Sequence, residues 1–374
     1  TAFNFASYLS DPEAFLFKLE PNAMQALVVR LSDADLQSAA FVDDRMLQVQ
    51  RPAVWMPMDG LLGAEPPLAP PAPLAIFHIG HCGSTLLSRM LGALPAVLSI
   101  REPLVLRTLA DLHRQPAATA RFDAVTLDRL FLRALALLQR RSRGQQQVVV
   151  RATSSCNGLI NRWLGSDQQT RAVLMHIDLR SYLCTMLKSP TSRFDAENFI
   201  AARLADLHAA LGDDALRLYQ LNQAERIALG WMAEMQRFGE LANRYGERLL
   251  RLDFADLLAD PSATLARVAG HLRIEASAGS INAALGPQIS GRYAKATDHP
   301  YSRADRQADL QTSAELYPGE LRAGLDFAER LLQRYPALAG LREHLAASPK
   351  EGSGEESPGP RESRIRRRFR STGP

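Results

Sequence analysis

The chain has few cysteines, no long apolar run and no basic leader at its start, and each shortage argues against a class of protein. Three cysteines in 374 residues, at positions 82, 156 and 184, are too few and too scattered for a disulfide framework or a zinc site. No stretch of about 18 apolar residues occurs, so a membrane-spanning helix is not expected. The first residues, TAFNFASYLSDPEAF, carry acids and lack a basic segment followed by an apolar block, so they do not resemble a secretory signal. We therefore expect a cytoplasmic protein.

The positive charge of the chain is concentrated near its end. The formal net charge is +4, and residues 350–374 hold seven Lys/Arg and four Asp/Glu. This stretch is rich in Pro, Gly and Ser and almost free of apolar residues, so residues 349–374 are predicted to be a disordered basic tail. Its RIRRRFR segment would suit nucleic acid or anionic lipid, but the simpler interpretation is a solvated tail, and nucleic acid is not an expected partner.

Apolar runs of strand length alternate with helical patterns along most of the chain. The runs are LAIFHI (74–79), AVLSI (96–100), QVVVRA (147–152), AVLMHI (172–177) and the less continuous ERLLRLDF (247–254). Their unbroken apolar character is typical of parallel strands covered on both faces. The pattern predicts an α/β protein, a three-layer P-loop-type fold with a central parallel sheet flanked by helices.

The rest of the chain is divided around that sheet. Residues 1–73 are predicted to be a helical N-terminal extension that ends in the Pro-rich connector PPLAPPAP (66–73). Residues 74–348 are predicted to form the α/β domain, with a helical insertion at 190–245 that is expected to cover a ligand pocket. The segment DPSATLARVAGHL predicts a helix with Asp260 as its N-cap and Pro261 at its first position.

A short glycine-containing loop, GHCGST (80–85), joins the first of these strands to a helix. Glycines at 80 and 83 allow backbone conformations that other residues avoid, and successive N–H groups at a helix N-terminus can converge on an anion. Ser84 and Thr85 add hydroxyl donors. The alternative is a strand-to-helix turn, capped by Ser or Thr, that binds nothing.

The loop lacks the lysine of a nucleoside triphosphatase. In the pattern GxxxxGK[ST] that lysine neutralises the β- and γ-phosphates, and the hydroxyl binds magnesium. Here Ser84 follows Gly83 directly, and no glycine lies five positions before Gly83. A metal-dependent triphosphate site is therefore disfavoured, and no metal is expected.

The loop instead resembles the 5′-phosphosulfate-binding loop of sulfotransferases, usually P-[KR]-S-G-T-T. In this register Gly80 replaces proline, His81 the basic residue and Cys82 the serine, and Gly83, Ser84 and Thr85 follow. The stretch RYGERLLRLDFADLLADPSATLARVAGHL (244–272) is also similar to the family's v…yEdLl.dP…tl..i..fL segment. The resemblance implies binding of 3′-phosphoadenosine-5′-phosphosulfate (PAPS) as the donor, without magnesium.

Glu102 is the candidate catalytic base. In PAVLSIREP it lies close to the position where the tyrosylprotein branch of the family has its base. A carboxylate at a strand end beside the nucleotide loop can take the acceptor's proton as the sulfuryl group is transferred. The alternative is that Glu102 only pairs with Arg101 or Arg107, or caps a helix.

The other candidate donor-binding residues follow from the same resemblance. Arg151, in QVVVRATS, would contact substrate or phosphate. Arg180 would bind the 3′-phosphate, since a guanidinium matches phosphate oxygens bidentately. Its hydroxyl partner is Thr185 or Ser189, because the register is imperfect and Asp178 stands where arginine is common. Arg292 and Lys295, in GRYAKATDHPYS, would clamp the 3′-phosphate; the alternative for both is simple surface charge.

Three residues near the proposed site have competing interpretations. His81 is hypothesised to be protonated in the complex and to stabilise the bridging oxygen as the S–O bond breaks; alternatively, the backbone alone binds the anion. Cys82 is interpreted as a small residue in place of serine rather than as a nucleophile. His176 lies in a buried strand pattern and is expected to be a core histidine.

The expected function is transfer of a sulfuryl group from PAPS to a hydroxyl or amine of a small-molecule or peptide acceptor. Glu102 and His81 would be catalytic. A small-molecule kinase on the same sheet is the second hypothesis, and it would need a loop lysine and a magnesium carboxylate. The third is a non-catalytic nucleotide-binding or scaffold protein that kept the fold, which the departures at His81 and Asp178 permit.

Overall fold

A computed structural model describes residues 11–48, 51–63, 72–139, 147–286 and 302–345. The predicted tail (349–374), most of the Pro-rich connector and the two candidates Arg292 and Lys295 lie outside these residues. None of the helices within the described ranges is long and apolar enough to cross a membrane.

The centre of the protein is a five-stranded parallel sheet with the strand order β5-β6-β4-β7-β8. Its strands are β4 (Leu74–His78), β5 (Val97–Arg101), β6 (Gln147–Arg151), β7 (Ala172–His176) and β8 (Leu249–Asp253). All five match the predicted runs to within a few residues. The four strands with unbroken apolar runs are almost fully buried, and β8 is partly exposed, as its less continuous pattern indicates.

Helices flank this sheet, which confirms the α/β prediction. The helices that follow β4, β5, β6 and β7 are α3 (Ser84–Gly92), α4 (Leu104–Arg114), α5 (Ala124–Gln139), α6 (Ile160–Gly165), α7 (Leu179–Leu187), α8 (Pro190–Glu197), α9 (Ile200–Leu211) and α10 (Gln223–Tyr245). Those after β8 are α11 (Phe254–Ala259), α12 (Pro261–His271), α13 (Ala278–Ala284), α14 (Arg303–Leu316) and α15 (Pro318–Arg334). A 3₁₀ segment, Pro336–His344, ends the described chain.

Local sequence signals explain where several of these helices begin. Asp260 caps α12 by accepting a hydrogen bond from the Ala263 N–H, and Pro261 is its first residue, as predicted. Asp178 caps α7 in the same way, accepting from the Ser181 N–H at 2.8 Å. The aspartate that departs from the sulfotransferase pattern therefore has a structural role at a helix start.

The predicted helical character of the N-terminal region is wrong for its main elements. The region contains a three-stranded antiparallel sheet of β1 (Ala14–Glu20), β2 (Gln25–Arg30) and β3 (Ala53–Pro57), with two single-turn helices, α1 (Asp33–Ser38) and α2 (Met58–Gly63). The run ALVVR in β2 has β-branched residues that favour a strand. A turn at Pro21–Met24, where Met24 takes a φ of 52°, joins β1 to β2 and fixes their pairing.

The N-terminal region is attached to the edge of the parallel sheet. The Val42 N–H donates to the Arg101 carbonyl at 2.7 Å, and the Leu104 N–H donates to the Val42 carbonyl at 3.0 Å. The buried Arg101 guanidinium donates to the carbonyls of Ala39, Leu36 and Gln37. These bonds bring the segment that follows α1 to the carboxyl end of β5, and the apolar residues of both sheets join in one core. The boundary at residue 73 and the domain at 74–348 stay predictions.

The stretch 190–245 consists mainly of α8, α9 and α10, and α10 packs on α7, α9 and α15. Its description as an insertion stays a prediction. What the fold establishes is that these helices lie beside the carboxyl ends of β4 and β7, where the loop GHCGST is also found. The carboxyl edge of the sheet is therefore enclosed by the loop on one side and by α8 and α9 on the other.

Candidate active site

A cavity of about 490 Å³ opens at the carboxyl edge of the parallel sheet. Its walls come from the loop after β4, from the ends of β5 and β6, and from the N-terminal region and several helices. Gly80 and His81 come from the loop after β4; Glu102 and Arg151 come from the ends of β5 and β6. The N-terminal region and the helices supply further lining residues, among them Phe41, Arg45, Tyr182, Met186, Asp195, Asn198, Phe199 and Arg203. The position agrees with the usual place of ligands in open α/β sheets, outside the carboxyl ends of the strands.

The loop after β4 is held in a left-handed backbone conformation at three of its residues. The φ angles are 91° at Gly80, 50° at His81 and 74° at Gly83. A Cβ on Gly83 would overlap the Phe254 ring, so both the backbone angle and the packing require glycine there. The Gly80 N–H donates to His78 Nδ1 at 3.0 Å, which fixes the start of the turn.

The loop residues divide into two that face the cavity and four that lie behind them. Gly80 and His81 line the cavity, whereas Cys82, Gly83, Ser84 and Thr85 are not among its lining residues. Ser84 and Thr85 are each only 3% exposed. The first backbone hydrogen bonds of α3 run from the Leu86 and Leu87 N–H groups to the Gly83 carbonyl, so the earlier amides precede the helical ladder.

Cys82 is unsuited to thiol chemistry. It is fully buried, and its thiol donates to the Met175 carbonyl at 3.3 Å. Burial raises the pKa of this thiol to about 12, so the thiolate is not populated near neutral pH. This agrees with the interpretation of Cys82 as a small residue in place of serine.

Glu102 and two arginines form a charged cluster on the wall next to the loop. One carboxylate oxygen of Glu102 lies 2.8 Å from Arg151 Nη1, and the other accepts from Arg107 Nη2 at 2.7 Å. Arg151 also donates through Nε to the Ser84 hydroxyl at 2.9 Å. The cluster therefore links the ends of β5 and β6 to the first residue of α3.

The cluster decides between the interpretations of Glu102 only in part. Pairing with Arg107 is present, as the alternative expected, whereas Arg101 contacts backbone carbonyls instead. Burial raises the pKa of Glu102, but the charges and hydrogen bonds of Arg151 and Arg107 lower it more, and the net pKa lies below its ordinary value. The carboxylate is thus ionised at neutral pH, but its low pKa makes it a weak proton acceptor in the protein as described.

Backbone strain is concentrated at this cavity. In the described ranges, four residues other than glycine have a positive φ: Met24, His81, Glu102 and Arg273. Two of them, His81 and Glu102, line the cavity. Non-glycine residues in this region of φ/ψ space cost of order 1 kcal/mol or more, and such strain clusters at functional sites. The strain therefore favours a cavity that binds a ligand over the alternative of a strand-to-helix turn that binds nothing.

Positive side chains outnumber negative ones in the cavity wall. Among the described residues, four arginines line it, against the two carboxylates of Glu102 and Asp195, and two histidines also line it. Two of the arginines also have partners behind the wall: Arg45 binds Asp43 through two hydrogen bonds, and Arg203 lies 3.3 Å from Glu234. A low-dielectric cavity with an excess of guanidinium groups favours an anionic ligand.

A buried polar network anchors the helical side of the cavity to β4. The Asn157 amide donates to the carboxylate of Glu234 at 2.7 Å and to the His78 carbonyl at 3.0 Å. Glu234 in turn pairs with Arg203, which lines the cavity from α9. Arg45, Phe41, Asp195 and Arg203 were not predicted from the sequence, because no motif marks them and their neighbourhood depends on the fold.

Of the residues predicted for the 3′-phosphate, the three that the structure describes are not in the cavity wall. Arg180 lies at the start of α7 with an exposed side chain, and its N–H donates to the Leu345 carbonyl. Thr185 is buried and donates to the Ser181 carbonyl at 2.8 Å, and Ser189 caps α8 by accepting from the Ser192 N–H. The structure therefore brings Gly80, His81, Glu102 and Arg151 together and leaves these three apart.

Comparison with known proteins finds similar solved structures but no match to a protein family or to a curated sequence. Among solved structures the chain is similar to the sulfotransferase domain from the curacin biosynthetic pathway (TM-score 0.36, 12% identity, covering 71% of this chain and 98% of that one). It is also similar to sulfotransferase STF9 from Mycobacterium avium (TM-score 0.37, 14% identity, covering 69% of this chain and 79% of that one). A third similar structure is sulfotransferase STF1 from Mycobacterium tuberculosis H37Rv (TM-score 0.36, 15% identity, covering 66% of this chain and 76% of that one). TM-scores this low carry no weight for function, which has to be inferred from the site.

Proposed function

We propose that the protein is a sulfotransferase that moves a sulfuryl group from PAPS to a hydroxyl or amine. The observation that carries the proposal is the convergence of the strained Gly80–His81 turn with the Glu102, Arg107 and Arg151 cluster in one cavity. A sulfuryl donor presents several anionic oxygens, and a site of guanidinium groups and a helix N-terminus is suited to bind them without a metal ion.

The donor's charged end is assigned to the loop and to Arg151. The guanidinium of Arg151 is 2% exposed and is oriented by both Ser84 and Glu102, so it loses little freedom when an anion binds. Ser84 lies behind the cavity wall, where its oxygen accepts from Arg151 and so orients that guanidinium. Cys82, Gly83 and Thr85 hold the turn in shape, and the amides that start α3 add positive potential.

Glu102 is assigned the acceptor's proton. The acceptor O–H or N–H bond breaks as its heavy atom bonds to sulfur, and the S–O bond to the donor phosphate breaks with its electron pair left on the phosphate. An anion that engages Arg107 and Arg151 weakens their hold on Glu102 and adds negative charge beside it. Both effects raise the carboxylate's proton affinity toward that of an effective base.

The donor's 3′-phosphate is assigned to Arg180, with Thr185 or Ser189 as its hydroxyl partner and Arg292 and Lys295 as a clamp. Of the hydroxyls, Thr185 already donates within α7, and Ser189 already accepts a capping bond at the start of α8. The exposed guanidinium of Arg180 is therefore the stronger of the described candidates. The acceptor is proposed to be a small molecule or peptide that enters beside Phe41 and Phe199.

Calorimetry tests the proposal with 3′,5′-adenosine bisphosphate and with ATP–Mg²⁺ as separate ligands. We expect the bisphosphate to bind and Arg107→Ala to weaken it about 10- to 100-fold, since a charge-assisted hydrogen bond is lost. Arg342→Ala is the matched control, because that arginine is exposed and outside the cavity. Preferential binding of ATP–Mg²⁺ would favour the kinase hypothesis instead. Binding of neither ligand would leave only the scaffold hypothesis.

A further inference from the structure

His81 has a carboxylate partner across the cavity. Its Nε2 lies 3.3 Å from Oδ2 of Asp195, and both residues line the cavity. His81 occupies the loop position at which the resemblance expects lysine or arginine. We propose that Asp195 is a positioning residue that holds His81 in its protonated form, so that an imidazolium takes the place of the loop's fixed cation. The inference rests on the proposed function.

Both members of the pair are held in place by the fold. His81 is fixed by the left-handed turn, with a φ of 50°. Asp195 lies on α8, whose start is fixed by the Ser189 cap and by Pro190. The Arg193 guanidinium donates twice to the Leu187 carbonyl, at 3.0 and 2.8 Å, and so attaches α8 to the end of α7. The backbone positions that bring the carboxylate and the imidazole together are therefore set by secondary structure.

The surrounding charges show why a carboxylate is needed. An isolated histidine is mostly neutral at pH 7, and nearby cations favour the neutral form further. The titratable and charged groups that share the cavity with His81 are Arg45, His78, Glu102, Arg107, Arg151, Tyr182, Asp195 and Arg203. Glu102 is already paired with two of these arginines. Asp195 is the carboxylate in contact with the imidazole, and it favours the charged form.

The expected effect is moderate because the pair is partly hydrated. The side chain of His81 is 19% exposed and that of Asp195 is 50% exposed, so solvent screens their attraction. The functional consequence is a pH dependence that a loop lysine would not give. Donor binding should weaken as the pH rises through the titration of His81, and loss of Asp195 should move that weakening to lower pH.

Two measurements on the full chain test the inference. The first is an NMR titration of the His81 ring, assigned by loss of its signal in His81→Gln, in wild type and in Asp195→Asn. The second is calorimetry of 3′,5′-adenosine bisphosphate binding across the neutral pH range in the same proteins. Asp195→Asn should lower the midpoint by up to about one pH unit and weaken binding near pH 7 by ~3- to 10-fold. Asp309→Asn, which removes an exposed partner of Lys188, is the matched control and should change neither.

His81→Lys separates positioning from a direct or structural role of Asp195. Lysine is charged throughout this pH range, so in its background Asp195→Asn should not change the pH profile of binding. The inference is overturned if Asp195→Asn leaves the His81 midpoint at its wild-type value, or weakens binding equally at every pH. If wild type binds no bisphosphate at all, the proposed function fails and this donor role fails with it. The NMR titration would still show, separately, whether Asp195 controls the charge of His81.

Discussion

Two polar clusters lie along the carboxyl edge of the same sheet, and they differ in the charge of their residues and in their access to solvent. The first is the cavity cluster of Glu102, Arg107 and Arg151, at the ends of β5 and β6. The second, which we call the covered cluster, consists of His176, Arg251 and His344 near the ends of β7 and β8. In it the two imidazole rings are 5.2 Å apart, and Arg251 Nη2 lies 2.7 Å from His344 Nε2.

The two clusters differ in whether their titratable residues are charged. In the cavity cluster opposite charges face each other, and the pKa of Glu102 is lowered despite its burial. In the covered cluster burial lowers the pKa of His176 to about 3, helped by His344 and Arg251, so the ring stays neutral. The 3₁₀ segment Pro336–His344 supplies His344 to this cluster, with Leu338 and Leu341 buried against the core. One end of the sheet is thus suited to an anionic ligand, and the other is closed by the protein itself.

Arg151→Ala should disrupt the cavity cluster and lower the free energy of unfolding more than the other changes considered below. It leaves Glu102 buried with only Arg107 as a partner and removes the bond to Ser84. Removing one partner of a buried ion pair typically destabilises a protein by about 3–5 kcal/mol. Urea denaturation at neutral pH measures the change in the free energy of unfolding.

The control for this prediction is the double variant Glu102→Gln with Arg151→Met. It removes both buried charges and should be less destabilising than the sum of the two single changes, because neither buried charge is left without the other. Arg107 also loses its carboxylate, but its side chain is 36% exposed and can be hydrated. Additive effects of the two changes would contradict the assignment of Glu102 and Arg151 as a coupled pair.

Leu338→Ala should destabilise the 3₁₀ segment that covers the second cluster, by a comparable or smaller amount. The Leu338 side chain is fully buried, and truncation of a buried leucine costs about 2–5 kcal/mol. Arg342→Ala on the same 3₁₀ segment breaks an exposed contact with Glu329 and should change stability by less than about 1 kcal/mol. Thermal or urea unfolding of both variants compares them. Equal effects would mean that ion pairs, and not apolar burial, hold the cover in place.

The parallel sheet was predictable because its strands are defined by local composition. Continuous apolar runs such as LAIFHI and QVVVRA need burial on both faces, and that requirement leaves few architectures. The antiparallel N-terminal sheet was missed because its strands depend on pairing between β1 and β2 across a turn at Pro21–Met24. Apolar spacing in a short segment does not distinguish a strand from a helix.

The candidate site was only partly predictable, for a related reason. The glycine loop and Glu102 are marked by their positions directly after buried strands, and the structure brings both to one cavity. Asp195 and Arg203 come from helices far along the chain, so no local pattern could connect them to His81. The motif predicts that Arg180 binds the donor, yet the cavity wall does not include this residue. Spacing in sequence does not fix the direction in which a long side chain points.

The smallest of the three expected effects on stability is its pH dependence, which should reflect the titration of His176 in the covered cluster. The folded pKa of His176, about 3, lies below its ordinary value of 6.5, so between these values the unfolded chain binds more protons than the folded one. Stability is therefore greatest above the ordinary pKa and falls as the pH decreases. Between about pH 7 and pH 5.5 His176 should remove roughly 1 kcal/mol. Burial also lowers the pKa of His344, so that residue adds to the same slope.

Urea denaturation of His176→Gln at these two pH values isolates the contribution. The variant should lose the roughly 1 kcal/mol that His176 contributes over this window, even if it is less stable at both values. The slope that remains is expected from His344, His113 and His271, whose pKa values burial also lowers. Glu102 does not interfere, because its stabilisation is lost only as the pH falls from the ordinary carboxyl value of 4.5 toward its lower folded pKa. Arg342→Ala, on the same cover but remote from the titrating ring, should keep the wild-type slope. A slope in His176→Gln as steep as that of wild type would contradict the prediction, because it would show that protonation of His176 does not contribute to the loss of stability in acid.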